Sequence, residues 1–197
     1  MERTIFAMEL CFRWDASLHA ALREHVKSHP LSLGHHEKWV AYRNLESDLL
    51  AHLERVERGC WDYFNDDQKA KHDYAMWVHG MMTDETARTT PSGSISDPAG
   101  GGDGAYRGDA PRYLTFTIAF LVVQGTPTDT ALFQLCNVPQ DRLWQRASFI
   151  QILQGLGCVN FASVESDLMY LIPRDEDWSL TSEDLSQSKF EYLRPLY

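Results

Sequence analysis

The sequence lacks the features that would place the protein in a membrane, outside the cell or on nucleic acid. No stretch approaches the roughly 20 consecutive apolar residues that a membrane-spanning helix needs. The N-terminus has neither the basic start nor the long apolar core of a secretory signal peptide. Lys and Arg number 18 against 28 Asp and Glu, for a formal net charge of −10, and they form no cluster. We therefore predict a soluble protein with no membrane span, and no nucleic-acid partner because an acidic surface repels phosphates.

Compact motifs of cofactor and catalytic chemistry are also missing. The four cysteines are widely spaced and form no Cys-x-x-Cys pair. The glycine-rich stretch does not open a helix followed by Lys and Ser or Thr, as a phosphate-binding loop requires. A Gly-x-Ser-x-Gly nucleophile elbow is absent as well. The sequence thus indicates no cofactor and no catalytic residue, and it favours a protein that is not an enzyme.

The apolar content is sufficient for one sizeable core. The chain has 197 residues, of which 44% are hydrophobic and 12% aromatic, and this length is typical of one domain. Residues 89–111 differ in composition, because Pro91, Pro98 and the three glycines from Gly100 cannot bury enough surface to offset the entropy of ordering. We predict a single domain over residues 1–197, with a flexible loop at residues 89–111.

Three segments alternate between two sets of side chains with the period of a β-strand. They cover residues 5–14, 113–123 and 162–172. The segment 113–123 is apolar on one side and moderately apolar on the other, which predicts a central strand. In the last segment the alternation predicts that Leu168 faces inward and that Asp167 faces outward.

Helical spacing of apolar residues predicts several helices around these strands. Asp15 occupies the position of an N-cap before the first helix, and a long helix is predicted from Glu37 to near Gly59. Trp61 and Phe64, three residues apart, predict that helical structure then resumes. The predicted fold class is α+β, with a small, mostly antiparallel sheet of about three strands packed against several helices.

Four histidines near the first two helices are the candidates for a metal site. His25 and His29 are four residues apart and would share one helical face, and the pair His35 and His36 follows closely. A cationic His29 at a helix end would also interact favourably with the helix dipole, which is the structural alternative. The sequence contains no carboxylate or cysteine at a recognised metal spacing around them, so the metal ligands stay undefined.

An acidic turn near the C-terminus is the candidate interaction site. Asp175, Glu176 and Asp177 follow the last predicted strand, and Trp178 comes directly after them. Exposed carboxylates beside an aromatic ring are suited to contact with a protein partner, and the alternative is that Trp178 anchors the turn to the core.

The C-terminal half resembles a known family. A strand at residues 113–123 precedes a helical region, and a second strand at residues 164–172 ends in proline and an acidic turn. A Leu-Thr-Ser-Glu-Asp-Leu step at residues 180–185 then leads to a terminal Pro195-Leu196. In this order the segments resemble the family catalogued as domain of unknown function 1517, which occurs mainly in cyanobacteria and chloroplasts. The resemblance implies a role in photosynthetic or membrane-associated physiology and a cytoplasmic or stromal location, and it carries no catalytic residues.

Three hypotheses about function follow. The first is a non-catalytic interaction or regulatory domain with a protein partner, because a complete core pattern and an acidic surface occur without a convergent catalytic set. The second is a metal-dependent hydrolase that uses His25, His29, His35 or His36. The third is a sensor that binds a small ligand between the sheet and the helices, where pockets often form.

Overall fold

Five α-helices and six β-strands make up the part of the chain that the computed structural model describes, residues 1–29, 34–88, 111–174 and 178–197, with residues 79–88 described by their backbone alone. This confirms the predicted α+β class. The predicted flexible loop at residues 89–111 lies outside the described residues except for its last position. In chain order the elements are β1 (Arg3–Arg13), α1 (Ala16–Lys27), α2 (His35–Ala51), β2 (Val56–Phe64), α3 (Asp67–Arg88), β3 (Arg112–Val123), α4 (Pro127–Cys136), α5 (Arg146–Gly155), β4 (Val164–Ile172), β5 (Leu180–Thr181) and β6 (Arg194–Pro195).

The strands form one antiparallel sheet in the order β4-β3-β1-β2-β6. The short strand β5 pairs with the beginning of β3, where Tyr113 stands opposite Leu180. Among the described residues the sheet therefore has six strands, and the predicted number of about three was wrong. The prediction that β3 is central is confirmed, because β3 pairs with β1, β4 and β5.

The strand β2 occupies a region where helical structure was predicted. The helix expected to reach Gly59 ends at Ala51, and a turn of 3₁₀-helix at Leu53–Arg55 leads into β2. Trp61 and Tyr63 stand opposite Met8 and Phe6 of β1, so they lie on one face of the sheet with the period of two of a strand. Pairing with β1 outweighs the helix-like spacing of the aromatic residues in this segment.

Helices cover both faces of the sheet, and β1 is buried along nearly its whole length. One face packs against α1, α2, α4 and α5, and we call it the four-helix face. The opposite face packs against α3 and against the segment that follows β5, and we call it the α3 face. Representative residues are Phe6, Leu22, Leu45, Phe120, Leu132 and Phe149 on the four-helix face, and Ala7, Cys11, Ala70, Ala119, Leu185 and Phe190 on the α3 face.

A β-bulge interrupts the pairing of β4 with β3. The consecutive residues Leu121 and Val122 of β3 pair with residues of β4 that are two apart, so Glu165 has no opposite residue. Because Glu165 is an extra residue in β4, the side chains after it lie on the opposite faces of the sheet from those that an uninterrupted alternation predicts. Asp167 stands opposite Phe120 and is buried on the four-helix face, so the prediction that Asp167 faces outward was wrong.

The C-terminal segment crosses the α3 face and ends beside β2. Thr181 and Asp184 bond to each other reciprocally at the start of this segment, because the Thr181 N–H donates to Asp184 Oδ2 (2.7 Å) and the Asp184 N–H donates to Thr181 Oγ1 (3.2 Å). The chain then reaches β6, which pairs with Arg58 and Gly59 at the start of β2.

Candidate functional site

Four polar side chains meet where the chain after α1, the beginning of α2 and the strand β4 come together. Asp167 lies at the centre, with its side chain only 3% exposed. His29 Nε2 is 2.5 Å from Asp167 Oδ2, and the Lys38 ammonium donates to Asp167 Oδ1. The Tyr42 hydroxyl donates to Asp167 Oδ2 at 3.2 Å. We call these four residues the Asp167 cluster.

The helices place the donors of the Asp167 cluster on one side of the carboxylate. Lys38 and Tyr42 are four residues apart on α2, so they lie on the same face of that helix. Helix α1, which leads to His29, begins at the predicted N-cap, where Asp15 accepts the Leu18 N–H at 2.9 Å. The Tyr42 ring also stacks on Phe161, with ring centroids 4.9 Å apart.

Opposing effects set the ionisation of the Asp167 cluster. Burial alone would raise the pKa of Asp167, but the hydrogen bonds and charges of His29 and Lys38 outweigh it and hold the pKa of this carboxyl below its usual range. Burial, followed by the neighbouring charge of Asp167, raises the pKa of Tyr42 well above its usual value. At neutral pH the cluster therefore joins a buried carboxylate to a protonated phenol and to the side chains of His29 and Lys38.

Among the described residues, the Asp167 cluster has the orienting half of a catalytic triad and no nucleophile bonded to His29. An Asp–His pair activates a nucleophile only when the second ring nitrogen of the histidine can take its proton. His29 Nδ1 is buried and forms no hydrogen bond with any described residue. The geometry thus fits an internal ion pair that fixes the end of α1 and the beginning of α2 to β4.

The structure does not bring the four candidate metal ligands together. His25 Nε2 bonds with Asp48 Oδ2 at 2.7 Å, whereas His29 bonds with Asp167. His35 and His36 are exposed at the start of α2, and the His36 ring lies near the Trp39 ring with centroids 6.1 Å apart. Within the described ranges, no group of three or more His, Cys, Asp or Glu side chains is arranged to hold a metal ion.

The predicted interaction site near the C-terminus is only partly described. Asp175, Glu176 and Asp177 lie outside the described residues. Trp178 is half-buried and packs against the apolar cluster on the α3 face that includes Leu180. A contact between Trp178 and a protein partner stays a prediction.

The outer side of β2 is a second candidate site. The strand β6 pairs only with Arg58 and Gly59, so no described strand lies beside residues 61–64 of β2. An edge strand presents a row of backbone donors and acceptors to its surroundings, and another chain can pair with them. In the part of the chain that the structure describes, residues 61–64 are therefore the section of β2 whose outer side has no strand partner.

The direction of the backbone groups in β2 follows from the hydrogen-bond ladder. The Gln124 N–H donates to the Glu2 carbonyl at 2.9 Å, so even-numbered residues of β1 bond with β3 and odd-numbered residues bond with β2. The partners of those odd-numbered residues in β2 carry even numbers. The N–H and C=O groups of Trp61 and Tyr63 therefore point outward, and no described residue bonds with them.

Aromatic side chains flank this open strand on the four-helix face. Trp61 and Tyr63 are half-buried, and the Tyr63 hydroxyl donates to Asp129 Oδ1 at 2.8 Å. Phe133 of α4 is 50% exposed, and its ring centroid lies 5.9 Å from that of Tyr63. We call residues 61–64 together with Phe133 the β2 edge.

The α3 face of the β2 edge carries an unpaired carboxylate. Asp62 is half-buried, and burial raises its pKa above the usual value. Lys69 lies 3.6 Å above the centre of the Phe64 ring, but its ammonium bonds with Asp73 at 2.7 Å. Asp62 itself forms no hydrogen bond or ion pair with any described residue.

Sequence reasoning missed both candidate sites for separate reasons. Asp167 appeared on the solvent side because the bulge at Glu165 leaves no mark in the alternation. The β2 edge was taken for a helix, although the succession of Trp61, Tyr63 and Phe64 has the aromatic content that favours a strand.

Comparisons with known proteins assign no family. Protein-family models, curated proteins and solved structures each gave no match to the chain. The resemblance to the domain of unknown function 1517 family stays a prediction. Among the described residues, no helix is both long enough and apolar enough to cross a membrane.

Proposed function

We propose that the chain is a non-catalytic interaction domain that binds a protein partner through the β2 edge. The observation that carries the proposal is the open pairing side of residues 61–64 next to the exposed ring of Phe133. Backbone groups on an open strand can add affinity for another chain, and an exposed aromatic side chain can anchor it.

The Asp167 cluster supports the non-catalytic part of this proposal. Its carboxylate is bonded by three side chains of the same chain, and its exposed fraction is too small for direct contact with a substrate. Groups that fix three segments of a fold to one another contribute to the stability of the fold, and their removal would affect binding at the β2 edge only indirectly.

The family resemblance supports the regulatory part of the proposal. What it implies is a role in photosynthetic or membrane-associated physiology, in the cytoplasm or the stroma, with no catalytic residues. An interaction domain that regulates a larger assembly fits such a role.

Photo-crosslinking at the β2 edge tests the proposed function. A benzoylphenylalanine replaces Phe133, which is 50% exposed, and a matched control places the same group at Met76 on α3, which is 55% exposed. Both variants are illuminated in a lysate of the organism that makes the protein, and the crosslinked products are identified by mass spectrometry. We expect a reproducible product at position 133 that is absent at position 76.

Two outcomes would count against the proposed function. Crosslinking that is equal at the two positions would show that the contacts at Phe133 are nonspecific. A folded variant at position 133 that gives no crosslinked product in a lysate with proteins at their native concentrations would rule out the β2 edge as a docking site.

A further inference from the structure

We infer that the partner at the β2 edge is an extended peptide segment that adds a strand beside β2. The added strand carries Lys or Arg on the side that continues the α3 face of the sheet and apolar residues on the side that continues the four-helix face. The inference rests on the proposed function and specifies the chemistry of the partner at the same surface.

The backbone geometry selects an extended segment. Trp61 and Tyr63 present two N–H and two C=O groups in the spacing of an antiparallel or parallel ladder. A helix or a loop cannot meet groups that repeat at every second residue along a straight edge, whereas a strand can meet all of them. The segment is short, because β6 already occupies the positions opposite Arg58 and Gly59.

The two faces of the edge demand different side chains from the partner. On the four-helix face a side chain of the added strand would contact Trp61, Tyr63 and Phe133, and β-branched or aromatic residues pair well with such rings. On the α3 face its neighbours would be Asp62 and Phe64. Successive residues of the partner would therefore alternate between apolar and basic.

Charge is the reason to choose a basic segment. Asp62 has no ion pair among the described residues: the charge of Lys69 lowers its pKa less than burial raises it, and the Lys69 ammonium is bonded to Asp73. Asp66 adds a second, exposed carboxylate just beyond the end of β2. A Lys or Arg opposite Asp62 would favour the ionised carboxylate and would offset the effect of its burial.

The same charges argue against a second copy of this chain as the occupant. Two copies paired edge to edge would bring two Asp62 carboxylates together, and each copy has a formal net charge of −10. Like charges across a pair of strands are destabilising. Pairing between the acidic β2 edges of two copies would therefore be disfavoured at low salt.

A peptide library provides the test. The probes are synthetic ten-residue peptides with Val, Ile or Tyr at odd positions and Lys or Arg at even positions, and a matched set has Asp or Glu at the even positions. Binding to the full chain is measured by fluorescence anisotropy, and hydrogen exchange follows the outward amides of Trp61 and Tyr63. We expect the basic set to bind, to protect these two amides, and to lose binding when the peptide backbone is N-methylated on its pairing side.

Asp62→Asn measures the charge contribution. We expect this variant to bind the basic peptides about two- to fivefold more weakly, the range of an opposite-charge pair across two strands. The control Asp141→Asn removes an exposed carboxylate elsewhere and should leave the affinity unchanged at moderate salt.

Failure of this inference is distinguishable from failure of the proposed function. Absence of binding by the basic set, equal binding by the acidic set, or binding that survives N-methylation would each overturn the inference, while a specific crosslink at Phe133 would still support the proposed function. Self-association of the native chain with protection of Trp61 and Tyr63 would identify a second copy as the occupant and would overturn the inference as well.

Discussion

At the scale of single residues, Asp167 carries a buried charge that joins three segments of the fold. It lies between His29 and Lys38 with almost no contact with water, so removal of its charge leaves a buried ammonium without its counter-ion. Removal of one partner from a buried pair typically costs about 3–5 kcal/mol. We expect Asp167→Asn to lower the free energy of unfolding by an amount in this range, measured by urea denaturation at pH 7.

The neighbouring carboxylate provides the control for that measurement. Glu165 is two residues away, its side chain is 44% exposed, and it pairs with Arg3 at 2.5 Å. Exposed pairs contribute about 0–1 kcal/mol, so Glu165→Gln should change the unfolding free energy by no more than that. Equal effects of the two substitutions would show that the Asp167 cluster contributes no more than a surface ion pair.

The difference in unfolding free energy between the wild type and Asp167→Asn should depend on pH, and this dependence tests whether the loss of charge causes the destabilisation. The pKa of Asp167 is lower in the folded chain than in the unfolded chain, where it is about 3.9. Its ionised form therefore stabilises the folded state above pH 4, and this contribution is lost as the pH falls through the folded-state pKa. The stability difference between the two proteins should thus shrink as the pH falls below 4. A difference that does not change in acid would assign the effect to packing.

At the scale of elements, Gly59 determines how closely α5 approaches the sheet. A Cβ at this position would lie 2.7 Å from the Phe149 ring and 3.4 Å from the Glu9 carbonyl oxygen. Overpacking of a buried contact costs about 1–3 kcal/mol, and we expect Gly59→Ala to destabilise the fold by that amount. Phe149→Leu removes the ring, so the double variant should lose less stability than the sum of the two single variants. Additive losses in urea denaturation would show that the methyl group and the ring do not compete for the same space.

The elements also differ in how far the sequence could predict them. Strand β3 was predictable because its buried residues from Tyr113 to Val122 alternate between two covered faces and contain many β-branched and aromatic side chains. The boundary of α2 was not predictable, because Leu53 and Val56 continue the spacing of a helix into a 3₁₀ turn and a strand. The difference arises because tertiary pairing with β1, which no local pattern records, decides the structure of β2.

For the candidate sites, the sequence identified single residues but not the contacts that these residues make in the folded chain. His29 was singled out for a helix-end or metal role, and it proves to bond with Asp167, which lies 138 residues further along the chain. A contact over such a distance depends on the sheet order and on the bulge in β4, and neither has a local signature. The β2 edge depends on where β6 stops pairing, which is likewise a property of the assembled sheet.

At the scale of the whole molecule, the acidic charge and the open β2 edge have opposite effects on self-association. An open strand with aromatic neighbours favours pairing between copies, whereas a formal net charge of −10 keeps copies apart. The half-buried carboxylate of Asp62 adds a local cost to edge-to-edge pairing, because two copies would place these carboxylates near each other in a partly desolvated position. We therefore expect Asp62 to disfavour pairing between copies of this chain while it leaves the edge available to the proposed basic segment.

The substitution Asp62→Val separates these two effects. Valine favours a strand and removes the local charge, while the net charge of the chain changes only by one. We therefore expect the variant to self-associate. The self-association should increase with salt concentration, because salt screens the remaining repulsion between copies. Asp141→Val makes the same change in net charge at an exposed position outside the β2 edge and should sediment like the wild type. Sedimentation velocity at two salt concentrations measures the outcome. An Asp62→Val protein that matches the control at both concentrations would mean that the outward groups of Trp61 and Tyr63 are not accessible to another strand.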